Sequence, residues 1–151
     1  MVVSNPKGKE RLNFFKLLNQ YKRVDSGGKV FNNVGGPVLN KREFIRNYKF
    51  TLAFENSSFH GYTTEKILQP MFENSIPIYW GNPKVFTDFN TKRFINVHDF
   101  GSLKEAAEYV AFLDDNDDAY LSMLKEPWLP NNTFTQYCSQ IELIKFFEKV
   151  F

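Results

Sequence analysis

The 151-residue sequence predicts an α/β fold, a parallel sheet flanked by helices. Three observations carry that prediction. Short apolar runs alternate with longer amphipathic ones along the chain. "KFTLAF" (49–54) is a nearly continuous apolar run of strand length, as expected of a central parallel strand covered on both faces. "KERLNFFKLLNQY" (9–21) sets Phe14, Leu17, Leu18 and Tyr21 at i, i+3, i+4 and i+7, a helical stripe.

In chain order, "MVVS" (1–4) reads as a strand already under way, which suggests a piece cut from something longer, and the first helix follows it. A second short strand is expected near Val24. "SGGKVFNNVGGP" (26–37), with two Gly-Gly pairs and a proline, must be mostly loop. "NKREFIRNY" (40–48) reads as a short helix, and "KFTLAF" as the next strand. "TEKILQPMFENS" (64–75) reads as a helix burying Ile67, Leu68, Met71 and Phe72, which Pro70 should kink or confine. "IPIYWG" (76–81) resumes strand character, with Pro77 tolerable near its beginning, and "FINVHDF" (94–100) is another candidate strand. Ser102 and Glu105 form a capping-box pair ahead of "LKEAAEYVAFL" (103–113), whose Leu103, Ala106, Ala107 and Val110 keep helical spacing. "DDAYLSMLK" (117–125) and "QIELIKFFEKVF" (140–151) complete the helices.

The length fits one domain and is short for a two-lobed enzyme, so chemistry that needs two lobes must take the second from elsewhere. Lys plus Arg number 19 against 17 Asp plus Glu, a formal charge of +2, and no block of like charge marks a nucleic-acid footprint. The single cysteine, Cys138, excludes an internal disulfide and fits a reducing compartment. Cytoplasm is therefore the expected location, with membrane association left open for a longer protein. No apolar run reaches the roughly 20 residues of a membrane span, and the first residues lack the order of a secretory signal.

The chemistry concentrates in "FENSSFHGYTTEKIL" (54–68). A strand ending at Phe54, a loop containing Gly61 and a helix opening near Thr64 place the loop at the carboxyl edge of the sheet, where open α/β folds bind ligands. Free N–H groups and the positive end of the helix dipole favour an anion there, and Lys66 adds a point charge. Glu65 could accept hydrogen bonds from vicinal hydroxyls, so a nucleotide would use both. From spacing alone the local pattern is weak and an ordinary account stands ahead of it: Glu65 as a dipole complement, Lys66 as a solvated side chain, Asn56 and Ser57 as loop chemistry. Neither GxGxxG nor GxxxxGK[ST] is present.

The wider string "YKFTLAFENSSFHGYTTEKILQPMFENSIPIYWGNP" (48–83) resembles the donor-binding signature of the α-1,3/4-fucosyltransferase family, glycosyltransferase family 10, with its YKF-L-FEN, GY-TEK and IPIYWG-P segments in order. The likeness extends to "VVSNP" with Arg11 six residues after Asn5, to "YKRVDSGGK" and to "FINVHDF", and matches less clearly from Asn132 onward. The resemblance implies the C-terminal, nucleotide-sugar half of a GT-B glycosyltransferase, with residues 1–151 as one Rossmann-like domain, a parallel sheet flanked by helices, and the N-terminal acceptor domain absent. It implies transfer of L-fucose from GDP-fucose, with inversion, to a GlcNAc- or Glc-containing glycan acceptor, with no cofactor and no metal held through a DxD motif. "DDNDD" (114–118) reads as a solvated turn.

Residue by residue, Arg11 and Lys66 match the two basic residues that bracket the donor diphosphate. Glu65 matches the acid that contacts donor hydroxyls, and Asn56 and Tyr62 match donor-site contacts; Tyr62 could instead be core packing. The general base belongs to the missing N-terminal lobe, so no residue here is expected to be catalytic and the isolated chain should be inactive. Phe59-His60 departs from the family's usual residues before the GY pair, and His60 and His98 are expected to be ordinary loop or core histidines. Trp80 is expected to pack beneath the loop. The alternative is a stand-alone GDP or nucleotide-sugar binding module without transferase activity.

Overall fold

The structure, a computed structural model, describes residues 1–2, 6–133 and 140–150. The elements are α1 (Lys9–Tyr21), α2 (Lys41–Ile45), β1 (Phe50–Phe54), α3 (Glu65–Phe72), β2 (Ile76–Trp80), β3 (Ile95–Asn96), α4 (Leu103–Asp115), α5 (Asp117–Lys125) and α6 (Gln140–Val150), with single 3-10 turns between some of them. Half of the expected opening strand (1–4) falls on residues 3–5, which lie outside the described residues, as does Cys138.

The three strands form a parallel sheet in the order β1-β2-β3, with Phe50 opposite Ile76, Phe54 opposite Trp80 and Ile78 opposite Ile95. Alternation along the strands divides their side chains between two cores. Leu52, Phe54, Ile76, Ile78 and Ile95 face α1 and α4, where Phe14, Leu18, Ala106, Ala107, Val110 and Leu113 close the larger core. Ala53, Tyr79 and Phe94 face the other way onto Ile67 and Met71 of α3. Burial on both faces explains why β1 reads as continuous apolar sequence.

Pro77 sits in the central strand without breaking it. Ile76 N donates to Lys49 O at 2.8 Å, so the next nitrogen points to the opposite side, where pairing with β3 begins only at Ile78. Pro70 is buried inside α3, and the helix continues to Phe72. Phe72, expected on the buried side, is 54% exposed and meets Trp128 edge-on, because α3 turns only Ile67, Pro70 and Met71 inward.

No strand forms near Val24. Asn19 Oδ1 accepts from Val24 N at 2.8 Å and Asn33 Oδ1 from Ser26 N at 2.7 Å, so side-chain amides occupy donors that a ladder would need. "FINVHDF" yields only a two-residue strand before a turn at Val97–Asp99. The capping box is half formed: Ser102 Oγ accepts from Glu105 N, while Glu105 Oε2 accepts from Gly101 N one residue earlier than the motif requires. "DDNDD" is more than a solvated turn, since Asp114 pairs with Lys22, and Asp117 with Lys49 at 2.8 Å.

Candidate functional site

The carboxyl end of β1 carries the site. Glu55 extends the strand by donating its N–H to Trp80 O at 2.8 Å, and its side chain is buried. Its carboxylate is the hub. Oε1 accepts from Thr64 N and Thr64 Oγ1, both at 2.8 Å, and Oε2 accepts from Lys66 Nζ at 2.7 Å. The strand end is thereby tied to the first turn of α3, with Thr64 as N-cap.

Arg11, in the first turn of α1, reaches the same strand end from beneath. Its Nη2 donates to Phe54 O at 2.6 Å, Glu55 O at 3.1 Å and Asn56 Oδ1 at 3.1 Å, and the residue is only 3% exposed. Burial pushes the guanidinium below its ordinary pKa, against the opposing pull of Glu55 and of Tyr62.

The loop between β1 and α3 is held by the segment after β2. Ser58 Oγ donates to Gly81 O at 2.7 Å, Gly61 N to Asn82 Oδ1 at 3.1 Å, and Asn82 Nδ2 to Thr63 Oγ1 at 3.0 Å. Gly61 adopts φ +80, the left-handed turn that glycine accepts without strain. Gly81 has no room for a side chain: a Cβ there would lie 2.5 Å from Glu55 Cγ. The Tyr62 ring stacks on Phe59 at 4.6 Å, and its carbonyl accepts from Tyr79 Oη at 3.3 Å. Trp80 lies between the rings of Phe54 and His98, and His98 Nε2 is 3.2 Å from Gly81 O. His60 is exposed on the loop.

A cavity of about 220 Å³ opens beside β1. Arg11, Asn56 and Lys66 line it, so three of the five residues singled out from sequence converge on one space. Thr51, Leu52, Ile45 and Pro70 supply its less polar wall. Tyr62 and Glu65 lie outside that lining, and Glu65 is exposed at the start of α3. Two participants were missed by sequence reasoning. Glu55 stood inside the quoted string, yet a glutamate at a strand end carries no sign of burial. Lys41, also on the cavity wall, comes from α2. Burial lowers the Lys41 pKa, Glu65 raises it, and Lys66 and Arg11 lower it further. Among the described residues no group of three His, Cys, Asp or Glu could hold a metal ion, and no helix is long and apolar enough to cross a membrane.

A half-buried cavity with several cations at the carboxyl edge of a parallel sheet suits an anionic nucleotide, and comparison with known proteins identifies the lineage. Residues 1–145 match the family described as glycosyltransferase family 10 (fucosyltransferase), C-terminal part. The chain belongs to this family. It is 44% identical over 155 aligned residues to the alpha-(1,3)-fucosyltransferase FucT of Helicobacter pylori, covering 99% of this chain and 32% of that protein. It is 33% identical over 123 residues to the human GDP-fucose protein O-fucosyltransferase 3, covering 74% of this chain and 26% of that protein. A crystal structure of an alpha1,3-fucosyltransferase with GDP-fucose superposes with a TM-score of 0.93 at 43% identity, covering 99% of this chain and 45% of that one. The family 10 sequence thus spans about a third of its bacterial relative. Its parallel sheet and flanking helices match the C-terminal half of these GT-B enzymes.

Proposed function

We propose that this chain is the donor-binding domain of an inverting fucosyltransferase that moves L-fucose from GDP-fucose to a GlcNAc- or Glc-containing glycan acceptor. The observation that carries the reading is the convergence of Arg11, Asn56 and Lys66 on one cavity at the sheet's carboxyl edge, in a chain that superposes on a GDP-fucose-bound fucosyltransferase. In such a transfer an acceptor hydroxyl attacks the fucose anomeric carbon as the bond to the diphosphate oxygen breaks. The acceptor proton goes to a base, and negative charge grows on the departing GDP. Fixed cations interact more strongly with that charge than with the intact donor and so lower the barrier.

Arg11 and Lys66 are proposed to face the diphosphate, with Asn56 and Tyr62 at the nucleotide-sugar and Glu65 accepting from donor hydroxyls. The base and the acceptor site are assigned to a preceding lobe. A cytoplasmic location belongs to the same proposal, supported by the single cysteine.

Calorimetry with GDP and GDP-fucose, joined to a fucose-transfer assay, tests the reading. Both ligands should bind to the isolated chain and no fucose should be transferred. Turnover by this chain alone would overturn the placement of the base, and failure to bind GDP would overturn the donor site itself.

A further inference from the structure

Lys66 and Arg11 both meet protein acceptors in the cavity. Lys66 Nζ is paired with the buried Glu55 carboxylate at 2.7 Å, and Arg11 Nη2 is shared among two carbonyls and the Asn56 amide oxygen. Lys41 differs. Its Nζ donates to the neutral amide oxygen of Gln69, and among the described residues no carboxylate lies within ion-pair distance of it. Nor is it a loose surface lysine. Its helix, α2, is fastened to α3 by Glu73, which accepts from Arg42 Nε at 2.6 Å and from Arg46 Nη2 at 2.7 Å, and the Lys41 side chain is partly withdrawn from water on the cavity wall.

We propose that Lys41 is a third diphosphate cation of the donor site, a positive charge with no carboxylate in direct ion-pair contact among the described residues, acting most strongly on the GDP leaving group. The inference rests on the donor-site reading above and adds a residue and a charge preference to it. Burial lowers its pKa most and Glu65 opposes that, while Lys66 and Arg11 lower it further, a repulsion among the three cavity cations that an arriving polyanion relieves. Released GDP carries more charge than its sugar ester, so an ammonium held in no direct ion pair should discriminate between them. Lys66, already paired, should discriminate less.

The test compares the 151-residue chain with Lys41→Met, which keeps the length of the stem and removes the charge, and with Lys41→Arg. Calorimetry is run with GDP, GDP-fucose and guanosine, beside a thermal melt of each protein. Lys41→Met should weaken GDP binding by roughly ten- to a hundredfold, GDP-fucose binding by less, and guanosine binding hardly at all. Lys41→Arg should recover most of the loss. Unchanged GDP affinity in Lys41→Met, with the parent binding normally, would overturn the inference and leave the donor site standing. Equal losses for GDP and guanosine would overturn it too, by assigning Lys41 to the fold. A parent chain that binds no GDP would overturn the donor-site reading, and this inference with it.

Discussion

Lys66 Nζ lies 2.7 Å from Glu55 Oε2, and the Glu55 side chain is 0% exposed while that of Lys66 is 26% exposed. The pair is asymmetric: the carboxylate depends on its partners, whereas the ammonium can still reach water or a ligand. Glu55→Gln should therefore cost stability, about 1–3 kcal/mol, less than for a fully buried pair because Lys66 can rehydrate. GDP affinity should stay level or rise, since Lys66 loses its internal counter-ion. Urea unfolding and calorimetry on the same preparation check both halves. A variant that keeps its stability but loses GDP would reverse the roles assigned to the two residues.

Arg11 makes the opposite kind of contact, one guanidinium nitrogen serving Phe54 O, Glu55 O and Asn56 Oδ1. A lysine keeps the charge but lacks the planar fork and is more strongly hydrated. Arg11→Lys should lose about 1–3 kcal/mol, the cost of leaving buried acceptors short of a donor. Amide exchange of residues 54–58 should quicken as well. Parent-like melting and exchange would show that charge alone, and not the fork, matters there.

Much of this site was legible because its chemistry is local: "TEK" opens a helix just after a glycine loop, and that order places Lys66 at an anion-favouring terminus. The missed residues act across distance. Glu55 meets Thr64 and Lys66, nine and eleven residues on, only because the loop folds back, and Lys41 reaches the cavity only through the packing of α2 on α3. Periodicity located helices and strands for the same local reason. It failed at Val24, where Asn19 and Asn33 side chains replace a ladder, and at Phe72, whose place on the helix turns it toward Trp128 and solvent. A sequence pattern does not show which polar side chain will satisfy a backbone group.

Gly81 should tolerate no side chain. An added Cβ would stand 2.5 Å from Glu55 Cγ and 2.8 Å from Tyr79 Oη, two groups that hold the strand end and the loop. Gly81→Ala should lose about 1–3 kcal/mol as an overpacked position. The melting temperature is the direct readout, and a parent-like value would mean that the loop yields without cost.

Glu65 separates a ligand role from a helix role. It is exposed in the first turn of α3, where a carboxylate complements the dipole by about 0.3–1 kcal/mol. Glu65→Gln should melt close to the parent and yet bind GDP-fucose several-fold more weakly, if its carboxylate accepts from donor hydroxyls. Normal donor binding with much earlier melting would return Glu65 to the helix alone.

Acid should loosen the fastening between α2 and α3. Arg46 and then Arg42 hold the Glu73 carboxyl below its ordinary pKa through their hydrogen bonds, and Glu73 is only 3% exposed. The folded state therefore binds fewer protons than the unfolded chain in the range just below the ordinary glutamate value of about 4.3. The stability contributed by this carboxylate is complete above that value and is lost as pH falls through the depressed one. Glu73→Gln should be less stable than the parent near neutrality but should lose less on acidification, so the two urea midpoints converge as pH drops. Arg46 donates to Oε2 through both Nε and Nη2, whereas Arg42 donates to Oε1 through Nε alone, so Arg46→Met should flatten the acid limb more than Arg42→Met. Parallel acid limbs for parent and Glu73→Gln would show that other carboxylates govern acid unfolding.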